Sequence, residues 1–535
     1  MLTLTDVLEA LTGQRVHLAD LVISEAVVDS RQVIPGALFV ALPGERTDGH
    51  HFVGEAFQNG AVLALVQREM PPHFVTLDLS AGDLSPETTL PDALRMGHPL
   101  CLRVKDTLAA LQQIARFWRS RHQVRVVGVT GSVGKSTTKE LIAEVLSQRY
   151  RTLKNIGNLN NEIGLPLTLT RLGAGYQRVV LEMGFYVPGE IAHLCEIARP
   201  QVGVVTLVGT VHAERAGSQE SIARGKAELV QALPPAPEGT AILNFDDPWV
   251  RAMADQTRAR VLFYGLDPAA DLWADQIESL GLEGIHFRMH YQGESLHVRV
   301  PLIGFHSVQT VLRATAVGLV EGLSWGEIIR GLTMSQTQLR LVAVRTASGA
   351  LILDDTYNAS PESTLSSLNL LREIPGRHIA VLGDMLELGP YEREGHEKVG
   401  VLAAEVADEL DDQHQGGQPP DRTHEVLDVV RAMVLDAHRV GGDEDHQGHG
   451  QRGVDVGGGA GHARDQAGPV HHQDVEEQGG DEREEGLALV AHHVEHEVLE
   501  AAQDHLEEIL AAAGDHLDAA DGQPPDDDQE EHDQP

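Results

Sequence analysis

The chain has 535 residues, enough for about three domains with separate cores, and a formal net charge of −39. No run of about 18 apolar residues occurs, and the first residues lack the basic flank and small-residue cleavage site of a leader, so neither a spanning helix nor secretion is expected. The charge is uneven: 411–535 carries −27 (33 acidic residues, six arginines), leaving −12 on 1–410, which points to no nucleic-acid surface.

In chain order, 1–105 mixes short apolar runs with turn residues. Gly36-Ala-Leu-Phe-Val-Ala-Leu42 and Gly60-Ala-Val-Leu-Ala-Leu-Val66 read as buried strands, and Pro71 to Pro99 reads as a loop rich in Pro, Asp and Ser. Cys101 and Cys195 stand far apart in apolar surroundings, which predicts buried thiols in a reducing cytoplasm. Thr107 to Arg121 is helical in pattern.

The stretch Val126-Val-Gly-Val-Thr-Gly-Ser-Val-Gly-Lys-Ser-Thr-Thr-Lys139 then joins a strand to a helix through a glycine turn. Glycines let backbone N–H groups crowd round phosphate oxygens, and a helix N-terminus adds positive potential. Lys135 can reach the β- and γ-phosphates, and the Ser136 hydroxyl can ligate Mg²⁺. Leu141, Ile142, Val145 and Leu146 supply the helical periodicity that this context requires. The usual pattern places a glycine five positions before Gly134, where Val129 stands; here the glycine is Gly131. The loop predicts binding of ATP or GTP.

Strand-like runs continue at 124–129, 179–183, 202–208, 241–244, 261–264, 350–353 and 378–382, alternating with helical segments, as in a mostly parallel α/β sheet. Glu182, His212, Asn244, Asp354, Asp355 and Asp384 follow these strands, where open α/β sheets bind ligands. Each carboxylate reads equally as a Mg²⁺ ligand or as a helix cap or turn residue.

From Asp411 to Pro535 there is no Lys, Asn, Ser, Cys, Phe, Tyr or Trp. Apart from Thr423, Met433 and Ile509, every residue there has a codon beginning with G or C, a sorting that protein chemistry does not produce. Our hypothesis is translation in a shifted or reversed frame; resequencing that showed an intact frame through codon 535 would overturn it. The 14 histidines of this segment have no cysteine or regular ligand framework and read as solvated. A helix over 487–510 is expected, and disorder elsewhere in the segment.

Several blocks together resemble the Mur ligase family, ATP-dependent amide-forming enzymes of peptidoglycan precursor synthesis. These are Asp29-Ser-Arg-Gln-Val-Ile-Pro-Gly-Ala-Leu-Phe-Val-Ala-Leu42 with Asp48-Gly-His50, the short loop Thr130-Gly-Ser-Val-Gly-Lys-Ser-Thr-Thr138, Gly157-Asn-Leu-Asn-Asn-Glu-Ile-Gly-Leu-Pro-Leu167, Asp354-Asp-Thr-Tyr-Asn-Ala-Ser-Pro361 and Gly383-Asp-Met-Leu-Glu-Leu-Gly389 with His396. The later blocks look like the MurF type, which adds D-alanyl-D-alanine to UDP-N-acetylmuramoyl-tripeptide. The resemblance implies a three-domain α/β architecture: a UDP-binding domain at 1–105, a central P-loop ATPase sheet at 106–340, and an incomplete Rossmann-like ligase domain at 341–410, followed by the anomalous segment.

It also implies roles. Thr130, Gly131, Ser132, Val133, Gly134, Lys135, Ser136 and Thr137 would hold ATP, with Asn244, His306, Arg340 and Asp355. Ser136, Glu182, His212 and Lys226 would serve Mg²⁺ sites, Lys226 after carbamylation, and Lys135, Lys226, His212 and Glu182 would be catalytic. Ser30, Arg31, Asn160, Asn161, Tyr357 and Asn358 would bind substrate. Where the family has asparagines after His306, this chain has Ser307 and Thr310, whose hydroxyls are candidate replacements. A monomeric cytoplasmic enzyme is expected, with no membrane insertion. Residues 1–340 are expected to fold and bind nucleotide, and the short third domain to leave ligase activity weak or absent. The alternatives are a related Mur, folylpolyglutamate or cyanophycin-type ligase, and a nucleotide-binding protein that makes no amide.

Overall fold

A computed structural model describes residues 1–16, 21–44, 47–81, 99–334, 342–346, 349–356, 358–412 and 432–436. Arg340, Tyr357, the 487–510 segment and the rest of 413–535 apart from 432–436 lie outside the described residues. All the described residues belong to the compact unit Met1–Glu444.

The chain opens with α1 (Leu4–Thr12), β1 (Ala26–Val27), β2 (Leu38–Val40), α2 (Val53–Gln58), β3 (Leu63–Val66), β4 (Thr76–Asp78), β5 (Leu100–Arg103) and α3 (Thr107–Ser120). Its five strands form a parallel sheet in the order β1-β2-β3-β5-β4. Both expected strands are present. The expected loop from Pro71 differs, since Thr76–Asp78 pairs with β5 as the edge strand. Cys101 is buried in β5 and Cys195 in a later helix, both free; burial pushes the Cys101 thiol up to about 12 and raises that of Cys195 as well.

Nine strands make the central sheet. It runs through β6 (Arg125–Thr130), α4 (Lys135–Ser147), β7 (Thr152–Lys154), α5 (Gly164–Thr170), β8 (Arg178–Glu182), α6 (Glu190–Ala198), β9 (Val202–Val205), α7 (Ala213–Ala216), α8 (Gln219–Gln231), β10 (Thr240–Asn244) and α9 (Pro248–Arg251). It continues through β11 (Arg260–Gly265), β12 (Leu272–Ser279), β13 (Ile285–Tyr291), β14 (Glu294–Val300), α10 (Ser307–Val320) and α11 (Trp325–Met334). The order is β14-β13-β12-β11-β10-β9-β6-β8-β7, parallel from β12 to β7. After β6 the chain passes to one side for β7 and β8 and then returns to the other for β9. The crevice at the end of β6 is therefore a topological switch point.

Buried on both faces, β6 sends Val126 into one apolar layer and Val127 and Val129 into the other. The first layer is continuous from Leu38 and Leu63 of the first sheet through Leu111, Ile114 and Trp118 of α3 to α5, α6 and α8. Leu141, Ile142, Val145 and Leu146 of α4 fill the second, with α10 and α11, as the periodicity predicts.

The antiparallel β13 and β14 were not among the expected strands. A signal was present: Ile285-His-Phe-Arg-Met-His-Tyr291 alternates apolar and polar residues, and Gln292 and Gly293 take positive φ of 49° and 83° in the tight turn that follows.

The third sheet comprises β15 (Val342–Arg345), β16 (Leu351–Asp354), β17 (Arg377–Leu382), β18 (Glu409–Asp412) and β19 (Ala432–Asp436), with α12 (Pro361–Glu373) and α13 (Glu392–Val406). Its order is β15-β16-β19-β17-β18. Its core of Leu351, Leu353, Leu368, Leu371 and Val399 is separate from the others. The sheet reaches past residue 410: Ala432-Met-Val-Leu-Asp436 runs antiparallel to both β16 and β17 between them. A short apolar run thus finds two strand partners inside the segment that composition had set apart.

Candidate nucleotide and ligase site

The loop between β6 and α4 occupies the switch-point crevice. Thr130 closes β6 and donates from Oγ1 to Met183 O at 3.1 Å. Gly131 has φ +147°, and a Cβ there would collide with Thr206 Oγ1, just past the end of β9. Thr206 also donates to Val133 O at 2.7 Å, while Ser132 N donates to Leu207 O at 2.8 Å. The displaced glycine of the motif is therefore fixed by packing against the segment after β9. Gly134, at φ +80°, opens α4 without a side-chain cap, leaving the first-turn N–H groups of Lys135, Ser136 and Thr137 for an anion. Lys135 Nζ donates to Gly131 O and Ser132 O at 2.9 and 3.2 Å.

Glu182, at the end of β8, is 2 % exposed. Its Oε1 accepts from Asn160 Nδ2 at 2.9 Å, whereas Oε2 is buried with no hydrogen-bond partner. A buried carboxylate oxygen left open beside a phosphate-type loop fits a divalent cation. Two residues that carried no expected role hold this corner. Asn155 accepts from Glu182 N at 2.9 Å, and Lys139 donates to Asn155 O at 2.9 Å and Gly157 O at 3.3 Å. Asn161 turns away, its Oδ1 accepting from Ile163 N and Gly164 N. A cavity of about 370 Å³ opens here, lined by Asn160, Asn161, Tyr186, Glu190 and His193 among others.

Lys226, on α8, is fully buried, with its ammonium 4.7 Å from the centre of the Phe185 ring. Burial, with Lys135 nearby, holds it well below the ordinary lysine value. His212 sits at φ +70°, and burial, aided by Lys135 and Lys226, lowers its imidazole against the opposing hydrogen bond to the Glu387 carboxylate. That bond, Nδ1 to Glu387 Oε2 at 2.6 Å, comes from the third sheet's side. Thr210 N donates to Glu362 Oε1 of α12 at 3.2 Å, and Glu214 N to Glu387 O at 3.2 Å. Segment 209–219 is thus gripped from the third region. The sequence marked the Asp384–Gly389 block but assigned Glu387 nothing, because its partner lies 175 positions away.

Asn244 closes β10, donating to Thr206 O at 3.1 Å. His306 is exposed at the start of α10, beside a cavity of about 370 Å³ that also touches Phe305, Asn369 and Arg372. Asp355 is buried and accepts from Ser367 Oγ at 2.7 Å; Asn358 is exposed. Ser30 and Arg31 stay in the first sheet's β1–β2 connection, where Asp29 takes the Arg31 guanidinium at 2.9 and 2.7 Å. The structure thus gathers the loop, Glu182, Asn160, His212 and Lys226, and leaves Ser30 and Arg31 to the first sheet. Among the described residues, no helix is long and apolar enough to cross a membrane.

Family models match three consecutive stretches: Mur ligase family, catalytic domain, over 23–119; Mur ligase middle domain over 129–318; and Mur ligase, glutamate ligase domain over 339–434. The UDP-N-acetylmuramoyl-tripeptide–D-alanyl-D-alanine ligase of Synechocystis sp. is 38 % identical over 388 residues, 71 % of this chain and 77 % of that one. Its Bacillus subtilis counterpart is 36 % identical, with 71 % and 78 % covered. Crystal structure I of MurF from Acinetobacter baumannii aligns with a TM-score of 0.65 at 30 % identity, over 76 % of this chain and 84 % of that one. MurF ligase from Thermotoga maritima in complex with ADP aligns at 0.61 and 30 % identity, over 74 % and 84 %. Fold and site define a multi-domain P-loop nucleotide-binding α/β protein. With these matches the assignment narrows: the chain belongs to the Mur ligase family, in its MurF branch.

Proposed function

We propose that the chain is an ATP-dependent amide ligase joining D-alanyl-D-alanine to UDP-N-acetylmuramoyl-tripeptide, as the names of its relatives state for them. The observation that carries the reading is the convergence of the phosphate loop, an open buried carboxylate oxygen on Glu182 and the buried Lys226 at one switch point. The tripeptide carboxylate attacks the γ-phosphorus of ATP, and ADP leaves. The dipeptide amine then attacks the acyl phosphate carbon, losing a proton, and inorganic phosphate departs as the amide forms.

Such transfer needs positioning and charge neutralisation more than covalent help. Lys135 and the first N–H groups of α4 hold the phosphates. Asn160 orients Glu182 and would meet the substrate edge, and Asn244, His306 and Asp355 would contact the nucleotide. Ser136 with Glu182, and His212 with a carbamylated Lys226, are the residues that would hold Mg²⁺. When bound, the ion neutralises charge on the transferring phosphoryl group. The uncharged amine is the form that adds CO₂, and burial beside Lys135 shifts Lys226 toward that form, which supports the assignment. Ser30 and Arg31 serve the UDP end, and the enzyme works as a cytoplasmic monomer.

Phosphate release by the full chain that requires ATP, tripeptide and dipeptide together, with pentapeptide seen by mass spectrometry, is the expected result. Release that ignores the dipeptide would refute the ligase reading. Nucleotide binding without turnover would favour a second reading, a nucleotide-binding protein that makes no amide. That reading draws on the match, which covers 77 % of the relative rather than all of it.

A further inference from the structure

Two arginines are buried in the central region and are held in opposite ways. Arg119, on α3, gives its guanidinium to four carbonyl oxygens: Nε to Ala198 at 2.9 Å, Nη1 to His122 at 3.1 Å, and Nη2 to Val124 and Arg199 at 3.2 and 3.5 Å. Arg313, on α10, is 4 % exposed and meets only two hydroxyls. Nη2 donates to Thr310 Oγ1 at 2.7 Å and Nη1 to Tyr264 Oη at 3.4 Å. Its Nε is buried without a hydrogen-bond partner, and no carboxylate among the described residues forms an ion pair with it.

The direction of this side chain is informative. Nη2 stands 3.2 Å from where a Cβ on Gly134 would lie, so the guanidinium abuts the uncapped start of α4. A buried cation with neither counter-charge nor a full set of acceptors is destabilising unless something anionic completes it. The hydroxyls that stand in for the family's asparagines are engaged elsewhere: Ser307 Oγ donates to Ile303 O at 2.7 Å, and Thr310 accepts from Arg313. Each hydroxyl thus already holds one protein partner, and the charged group that α10 turns toward the loop is the arginine.

We propose that Arg313 is a nucleotide-binding residue that donates to the α- and β-phosphate oxygens of the nucleotide on the 131–137 loop. This rests on the nucleotide reading of that loop. A guanidinium presents parallel N–H donors that match two phosphate oxygens, which a lysine cannot reproduce.

The test compares the full chain with Arg313→Met and Arg313→Lys. It uses calorimetric binding of ADP, AMP and adenosine and the melting temperature without nucleotide. Arg313→Met is expected to weaken ADP by about tenfold or more, to leave adenosine unchanged, and to raise the nucleotide-free melting temperature, because an uncompensated charge is gone. Arg313→Lys should recover only part of the affinity. A loss shared by AMP puts the contact on the α-phosphate, and a loss confined to ADP puts it on the β-phosphate. Unchanged ADP affinity, or equal losses for ADP and adenosine, would overturn the proposal. So would a lowered melting temperature with affinity intact, the mark of a purely structural tie between α10 and Tyr264. If the unsubstituted chain binds no ADP, the nucleotide reading itself falls, and this proposal with it.

Discussion

Lys139 lies in the second turn of α4, where a lysine in a helical pattern ordinarily reaches water, yet it is 1 % exposed. It holds two carbonyls of the 155–157 loop and stands 4.0 Å from Glu182 Oε2, with Glu140 Oε1 at 3.0 Å. Removing its ammonium leaves the buried Asn155 carbonyl, the Gly157 carbonyl and a buried carboxylate short of a partner. Lys139→Met is expected to cost about 3 kcal/mol in urea unfolding, with weaker tripeptide binding because Asn160 loses its support. Unchanged stability would show that the network is not coupled. At this scale the sequence was legible where chemistry dictates a residue type. Gly131, Lys135 and Glu182 could be picked out because phosphate and cation binding demand them. Lys139, Asn155 and Thr206 could not, because their work depends on where β7, β8 and β9 bring distant backbone.

Among the elements, the parallel strands and the α4 periodicity were readable because both faces of the sheet are apolar. The antiparallel β13 and β14 were missed although their alternation was visible, since a half-exposed strand carries as many polar as apolar residues. Illegible in principle was the grip on segment 209–219, which joins α12 and the Glu387 turn to residues more than 150 positions earlier. Glu387 engages Nδ1 of His212 and, through Oε1, Arg215 at 3.3 Å. A carboxylate on one imidazole nitrogen fixes the ring and raises the ligand strength of the other. Glu387→Ala is therefore expected to weaken Mn²⁺ binding about tenfold and to speed amide exchange at Thr210 and Glu214. Glu387→Asp should restore part of both, and unaltered exchange with unaltered Mn²⁺ binding would contradict the coupling.

For the whole molecule, the first and central regions share one apolar layer, whereas the third has its own core and meets the central region through Glu362, Glu387 and Tyr391. Polar interfaces of this kind permit relative motion, which suits an enzyme that must admit three substrates. Every described side chain assigned to the nucleotide site lies before residue 388, within the unit Met1–Glu444. A chain ending at 444 is accordingly expected to keep the ADP affinity and melting temperature of the full chain, compared by calorimetry and thermal scanning. A marked loss of either would give the remaining 91 residues a part in the fold. Composition separated the segment after 410 from the enzyme, and the family match runs on to 434. A five-residue strand is too short a pattern to read without the sheet that receives it.

Arg313, buried and without an ion pair among the described residues, stands beside a loop that already carries Lys135. A chain built this way depends on its nucleotide for durability as well as for turnover. At a nucleotide concentration about 1,000 times the Kd, binding adds about 4 kcal/mol to the folded state. Depletion removes that margin while every covalent bond stays intact. Resistance of the purified chain to proteases would then rise with the concentration of nucleotide supplied, ADP included.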